Sequence, residues 1–456
     1  MTAHFPHRPR RAFPWRAAAL ACGLALVLAA GCTPHRELYP RLDGLARAGK
    51  YAEAAQLVEK NRETYGERNE VLYNLDRGVF LHYAGEYRKS NQAFEAAERR
   101  LDELFTRSVS GEVGAFLSND NTLPYRGEDY EAVVVNIYRA LNYVMLGQKD
   151  EALVEARKVD LKLDLINRAY APGEKNVYKE DAFARYLMGV LYEQGGTRDD
   201  LNDAYISNRL AASIYEKDFA RHYSVDVPDT LKVNLLTTAR FMGREELERA
   251  RQKFPNVPLL EPELKREQGE LYFVHYAGRA PDKVEDAIMA HMPDGYLLRI
   301  AFPRYRRRSY LVTGSRVVVN GSVAARLEEA EPIGDIAIQS LANRKGRIQA
   351  KAIARATTKY LATRAASQAA RRDSELAGAL TFLAGNVASA VSEQADLRAW
   401  ETLPDRILMG RVLLAPGTYR IQVQFTGAGG VVSTRDLGQV QVEAGRTRFF
   451  ILHTNS

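Results

Sequence analysis

A glycine-centred turn recurs three times in the first third of this 456-residue chain. The stretch Ala48-Gly49-Lys50-Tyr51-Ala52-Glu53-Ala54 returns as Ala84-Gly85-Glu86-Tyr87-Arg88-Lys89-Ser90, and again as Leu146-Gly147-Gln148-Lys149-Asp150-Glu151-Ala152. Glycine ends a helix by adopting a left-handed backbone, and helical spacing resumes directly afterwards, so each copy predicts helix, tight turn, helix. Around the second turn, Gly78 and Leu81 precede while Ala93, Phe94 and Ala97 follow; around the third, Asn136, Ala140 and Tyr143 precede while Ala152 and Ala156 follow. A degenerate fourth copy runs from Ala184 through Gly189, Tyr192 and Gly196 to Ala204, Ala211 and Tyr215. A two-helix unit cannot bury its apolar stripe alone. Repetition therefore predicts stacked units that share one core and leave a concave surface.

The first two turn glycines are 36 residues apart. With small residues at the close crossing, the pattern resembles the tetratricopeptide repeat (TPR), whose period is about 34 residues. The resemblance covers residues 42–218 and implies a protein-binding solenoid; an irregular helical bundle is the alternative. A loop at residues 108–129, rich in Gly, Ser, Asn and Asp, interrupts the array. Loops of this length inside compact domains are often functional. Its aromatic and acidic residues make Asn119, Asp120, Tyr125, Glu128 and Tyr130 candidate partner contacts. The competing reading has Leu123, Tyr125 and Tyr130 plugging the solenoid while Asn119 and Asp120 cap turns. Asp120, Glu128 and Asp129 lack calcium-loop spacing, and no metal site is expected.

Residues 225–266 read as a helical linker ending in Pro255, Pro258 and Pro262. Beyond it the apolar period changes to two. Strands are predicted at 270–276, 296–302, 316–319 and 323–327, with an Asn320-Gly321 hairpin turn, and again at 406–414, 418–425, 438–442 and 447–453. The element Ala415-Pro416-Gly417-Thr418-Tyr419-Arg420 resembles small β-sandwich modules of envelope lipoproteins. The expected fold class is α+β: a TPR-like α-solenoid at 43–224, then a β-sandwich-like domain in two parts, 267–332 and 401–456, split by a helical excursion at 333–400.

Within that excursion, helices are predicted at 345–372 and 376–391. Residues 304–372 hold fifteen Lys and Arg against four Asp and Glu. Arg306, Arg307, Arg308, Lys351, Arg355 and Lys359 are therefore candidates for an anionic partner, or simply a solvated face. Gly378 and Gly385 in the second helix suit close packing on the first helix or on another subunit, and Trp400 reads as a core anchor.

Compartment follows from the N-terminus. Arg8, Arg10, Arg11 and Arg16 precede an uncharged run that ends in Leu28-Ala29-Ala30-Gly31-Cys32. This resembles a bacterial lipoprotein signal, which implies removal of residues 1–31, a lipid on Cys32 and a short tether at 32–42. Thr33 at the next position implies the outer membrane, periplasmic face; Arg10-Arg11 leaves twin-arginine export open. Cys22 would be removed and Cys32 acylated, so the mature chain could form no internal disulfide. The signal's four arginines account for four of the seven formal positive charges, which leaves +3 and little reason to expect nucleic acid.

The six histidines after Cys32, at 35, 82, 222, 275, 291 and 453, show no metal-ligand spacing, and no catalytic motif is found. The chain resembles poorly characterised bacterial lipoproteins with TPR-like repeats before a C-terminal β domain. The expectation is a non-enzymatic scaffold for an envelope protein, with no cofactor beyond the lipid on Cys32 and a possible homo-oligomer. The alternatives are a wall-associated glycan-binding or glycan-cleaving protein and an oligomeric accessory of secretion or assembly.

Overall fold

The computed structural model describes residues 37–109, 120–170 and 177–455. Cys32 and Asn119 lie outside the described residues. Helices pair along the first half: α1 (Leu38–Arg47) with α2 (Tyr51–Lys60), α3 (Glu70–Tyr83) with α4 (Tyr87–Val109), and α5 (Asp129–Met145) with α6 (Lys149–Ala169). The pairs α7 (Ala182–Glu193) with α8 (Arg198–Ile214) and α9 (Asp229–Met242) with α10 (Arg244–Lys253) follow.

The three recurring turns are the same hydrogen-bonded object. Lys50 N–H donates to Leu45 O, Glu86 N–H to Leu81 O and Gln148 N–H to Tyr143 O, each at 2.9 Å. The intervening Gly49, Gly85 and Gly147 have φ of 70°, 79° and 72°. This six-residue closure satisfies a terminal helix carbonyl and needs a left-handed residue, which is why glycine recurs. At Gly78 a Cβ would come within 2.6 Å of the Phe94 ring, so that glycine sets how closely α3 and α4 cross. Residues 225–266, expected as a helical linker, supply the α9–α10 hairpin, with α9 packed on α8.

The C-terminal half is built on strands, and the chain is an α+β protein. One four-stranded sheet has the order β10-β1-β7-β6, from β1 (Gly269–Ala277), β6 (Glu328–Glu331), β7 (Arg406–Leu414) and β10 (Thr447–Thr454). The other has the order β5-β4-β8-β9, from β4 (Gly314–Val319), β5 (Ser322–Arg326), β8 (Gly417–Gly427) and β9 (Gly430–Val442). Strand β1 runs parallel to β10, antiparallel to β7, and is buried along its whole length. Its Leu271 and Phe273 join the apolar cluster shared with the second sheet, while Tyr272, Val274 and Tyr276 join the core of the helical array. A central strand covered on both faces is mostly apolar on both, here apart from Glu270 and His275, unlike a half-exposed strand.

Between β6 and β7 the chain makes α11 (Ile333–Arg371) and α12 (Glu375–Ser392). The first of these begins twelve residues before the predicted start, because Ile333, Ile336 and Ala337 bury against the helical array. A separate ribbon, β2 (Asp282–His291) with β3 (Leu297–Arg306), lies on this hairpin: Tyr360 donates to Asp294 at 2.9 Å and Leu297 N–H to Asn386 at 3.2 Å. Strand β2 was not expected from sequence. Its Asp282, Glu285 and Asp286 break the apolar alternation, and they are matched on β3 by Arg306, Arg299 and Arg304.

Candidate functional site

The acidic loop and the basic helix, two separate candidates in the sequence, meet each other. Lys351 Nζ lies 2.6 Å from Asp120 Oδ1, and Arg355 lies 3.8 Å from Asp120 Oδ2. Glu128 pairs with Lys283 at 2.5 Å and with Arg344. Tyr130 and Tyr305 share a hydroxyl contact at 3.2 Å. Tyr125 donates to Glu131 at 2.6 Å, and the Arg398 guanidinium lies 5.3 Å from its ring centre. Tyr125 and Tyr130 are 4% and 2% exposed. These residues therefore form an internal junction between the two halves of the chain. As surface contacts for a partner, Tyr125, Glu128 and Tyr130 are corrected by their burial: an aromatic ring gains more by filling a core than by facing water.

The basic candidates are satisfied within the chain as well. Arg355, 3% exposed, donates to both oxygens of Glu393 at 3.0 Å from Nε, and Lys359 reaches the same carboxylate at 2.9 Å. Arg308 is half-buried and donates to the carbonyls of Ala280 and Glu401. Arg306 and Arg307 remain exposed but pair with Asp282 and Asp335. A shared cationic surface formed by all six is not what the geometry provides.

What joins the halves is the stretch from Glu393 to Asp405, between α12 and β7. It runs along the helical array as a bound peptide would. Asn121 donates to Ala395 O at 3.0 Å, and Arg398 donates to the carbonyls of Leu123 and Asp120 at 2.9 Å each. The Trp400 ring lies 5.8 Å from both Phe94 and Tyr138, centre to centre. The backbone N–H of Trp400 donates to Glu131 Oε1 at 2.7 Å, and Thr402 donates to Asp76 at 2.7 Å.

Two buried carboxylates receive this strap. Asp76 also accepts from Tyr39 and Tyr65, each at 2.7 Å, and Glu131 also accepts from Tyr125 and from Glu128 N–H. Burial pushes the Asp76 carboxyl up to about 6 and that of Glu131 up to about 7, against the opposing pull of these donors. Sequence reasoning missed both. The available signal was an isolated acid inside an apolar run, as in Leu75-Asp76 and Tyr130-Glu131-Ala132-Val133, since such an acid is buried with its helix face.

Beside the junction the array keeps an open groove. It encloses about 980 Å³ between α4, α5 and α6, bounded at one end by Arg126, Glu128 and Asp129. Leu101, Phe105, Leu161 and Leu165 supply apolar wall, and Leu161 and Leu165 are 59% and 52% exposed. The floor is a charge network: Glu98 accepts from Asn136 at 2.8 Å and from Lys162 at 3.1 Å and pairs with Arg139, which reaches Glu155 at 3.1 Å. Burial alone would raise the Glu98 carboxyl, but Lys162, Asn136, Arg139 and Lys158 together hold it at about 2. The floor is thus ionised and largely satisfied, and the exposed leucines are the groove's unsatisfied surface.

Among the described residues no group of three or more His, Cys, Asp or Glu could hold a metal ion, and no helix is long and apolar enough to cross a membrane. No protein-family model matches the chain, and no curated protein matches it in sequence.

Proposed function

We propose that this protein is a tethered scaffold of the bacterial cell envelope, held by a lipid on Cys32 at the periplasmic face of the outer membrane. Its helical pairs are read as TPR-like repeats that hold a segment of an envelope protein in the α4–α6 groove. The two facing sheets are read as a sandwich-like module that braces the array. One observation carries this reading: the array already binds a peptide-like segment of its own chain at 393–405, while the adjoining groove stays open with Leu161 and Leu165 exposed. A segment with an apolar side chain for those leucines and charges of both signs for the rim would fit. Three turns of identical hydrogen bonding support the repeat reading.

The test is in-cell photocrosslinking from Leu165, with Arg244 on the exposed outer helix as the control position. The expected result is a discrete protein adduct from Leu165 that Leu161→Asp abolishes. An adduct pattern equal to that of Arg244 refutes the groove. Separately, Cys32→Ser should move the protein from the membrane fraction to the soluble fraction; unchanged partitioning refutes the anchor.

A further inference from the structure

From Leu376 to Ser392 the chain has no ionisable side chain, yet α12 is largely exposed. Its inner face is used up by α11: Ser367 Oγ donates to Gly378 O at 2.8 Å, and a Cβ at Gly385 would come within 2.6 Å of Thr363. The glycines therefore close the hairpin and are not available to another subunit. On the outer face, Leu376, Leu380, Leu383, Val387 and Val391 are between 45% and 69% exposed. Their first three steps, of four, three and four residues, are the spacing of a coiled-coil seam.

We propose that this outer face of α12 pairs with the same face of a second copy of the chain. Three features commit the surface to that occupant. The seam spacing supplies knobs and holes for another helix of the same kind. The face carries no charge, so a twofold contact with itself brings no like charges together. The five large side chains, with Ala379, Ala384 and Ala388 also exposed between them, leave on the order of 500 Å² of apolar surface per copy and about 1,000 Å² for a pair, the threshold of a specific interface. A bilayer surface is a poorer match, because a helix lying in that plane turns its own charged polar face to water, whereas the other side of α12 is covered by α11.

The test uses the mature chain carrying Cys32→Ser, which has no other thiol. Sedimentation equilibrium from about 1 to about 100 μM should show a monomer–dimer equilibrium that the double variant Leu380→Glu/Leu383→Glu weakens at least tenfold. Because both leucines are solvent-facing in the monomer, circular dichroism of the variant, and its Tm at the lowest concentration where association is least, should match the parent. Independently, Leu383→Cys, at the middle of the seam, should form an intermolecular disulfide on mild oxidation, while a cysteine at exposed Arg244 should not. A chain that stays monomeric throughout with no Leu383→Cys disulfide overturns the proposal. So does a dimer untouched by the double substitution, or uptake onto phospholipid vesicles that depends on Leu380 and Leu383.

Discussion

Trp400→Ala should loosen the junction between the helices and the sheets more than any surface change. Trp400 is 1% exposed and packed against Phe94 and Tyr138. Burying an indole removes about 200 Å² from water, worth about 5 kcal/mol at 25 cal/mol per Å², and truncations of such residues cost roughly 3–5 kcal/mol. Its Nε1 has no hydrogen-bond partner, so deletion also removes a buried unsatisfied donor and returns about 1 kcal/mol. The expected net loss is about 2–4 kcal/mol. Trp400→Phe keeps a ring in place and drops the same donor, so it should cost only about 1 kcal/mol. Urea denaturation followed by far-ultraviolet circular dichroism measures both. Trp400 is the sole tryptophan from Cys32 onward, so in a protein that begins there its fluorescence should change together with the dichroism of the parent. A loss below 1 kcal/mol for Trp400→Ala, or equal losses for the two variants, refutes this account of the junction.

Three further expectations concern burial. The imidazoles of His82, His275 and His453 are pushed down by burial to about 4, 3 and 3. The unfolded chain therefore takes up protons below about pH 6.5 that the folded chain refuses, and stability from these groups, intact above pH 7, is withdrawn as pH falls from about 6.5 towards 4. Asp76 and Glu131, raised by burial, act in the opposite sense, so the clean readout is imidazole NMR: titration of any of the three in the folded chain above pH 5.5 contradicts the prediction. Arg355→Ala leaves the buried Glu393 carboxylate with Lys359 alone and should cost about 2–3 kcal/mol, whereas Lys351→Ala, at a pair whose side chains are 38% and 40% exposed, should cost less than about 1 kcal/mol. Comparable losses in urea denaturation would overturn that ranking. Gly385→Ala forces a Cβ against Thr363 and should lower Tm, while Ala384→Ser on the outer side of the same helix should leave it unchanged; a reversed order would show that the hairpin closes elsewhere.

The sequence by itself determined the local elements whose causes are local. Glycines 49, 85 and 147 recur because each closes the same helix end, so the turns were legible as a repeat; the Asn320-Gly321 hairpin was legible because both residues take positive φ, 48° and 87°. Strand β7 was read to the residue from its apolar character, and the second excursion helix to within one residue. Charged β2 escaped, because its stability comes from arginines on β3 and not from its own pattern.

Only the tertiary structure decided what the candidate residues face. Composition marked an acidic, aromatic loop and a basic helix 231 residues apart at Asp120 and Lys351, but not that each is the other's partner. It offered Gly385 either to the first helix of the excursion or to another subunit, and only the packing showed that Thr363 of that helix occupies the space. Asp76 and Glu131 read as ordinary acids until packing took them out of water and aimed the strap's Thr402 and Trp400 at them. Propensity and periodicity act over a few residues and leave a written pattern. Ion pairing, desolvation and the choice between an inner and an outer face depend on which distant segments arrive at the same place, and that is set by how the whole chain packs.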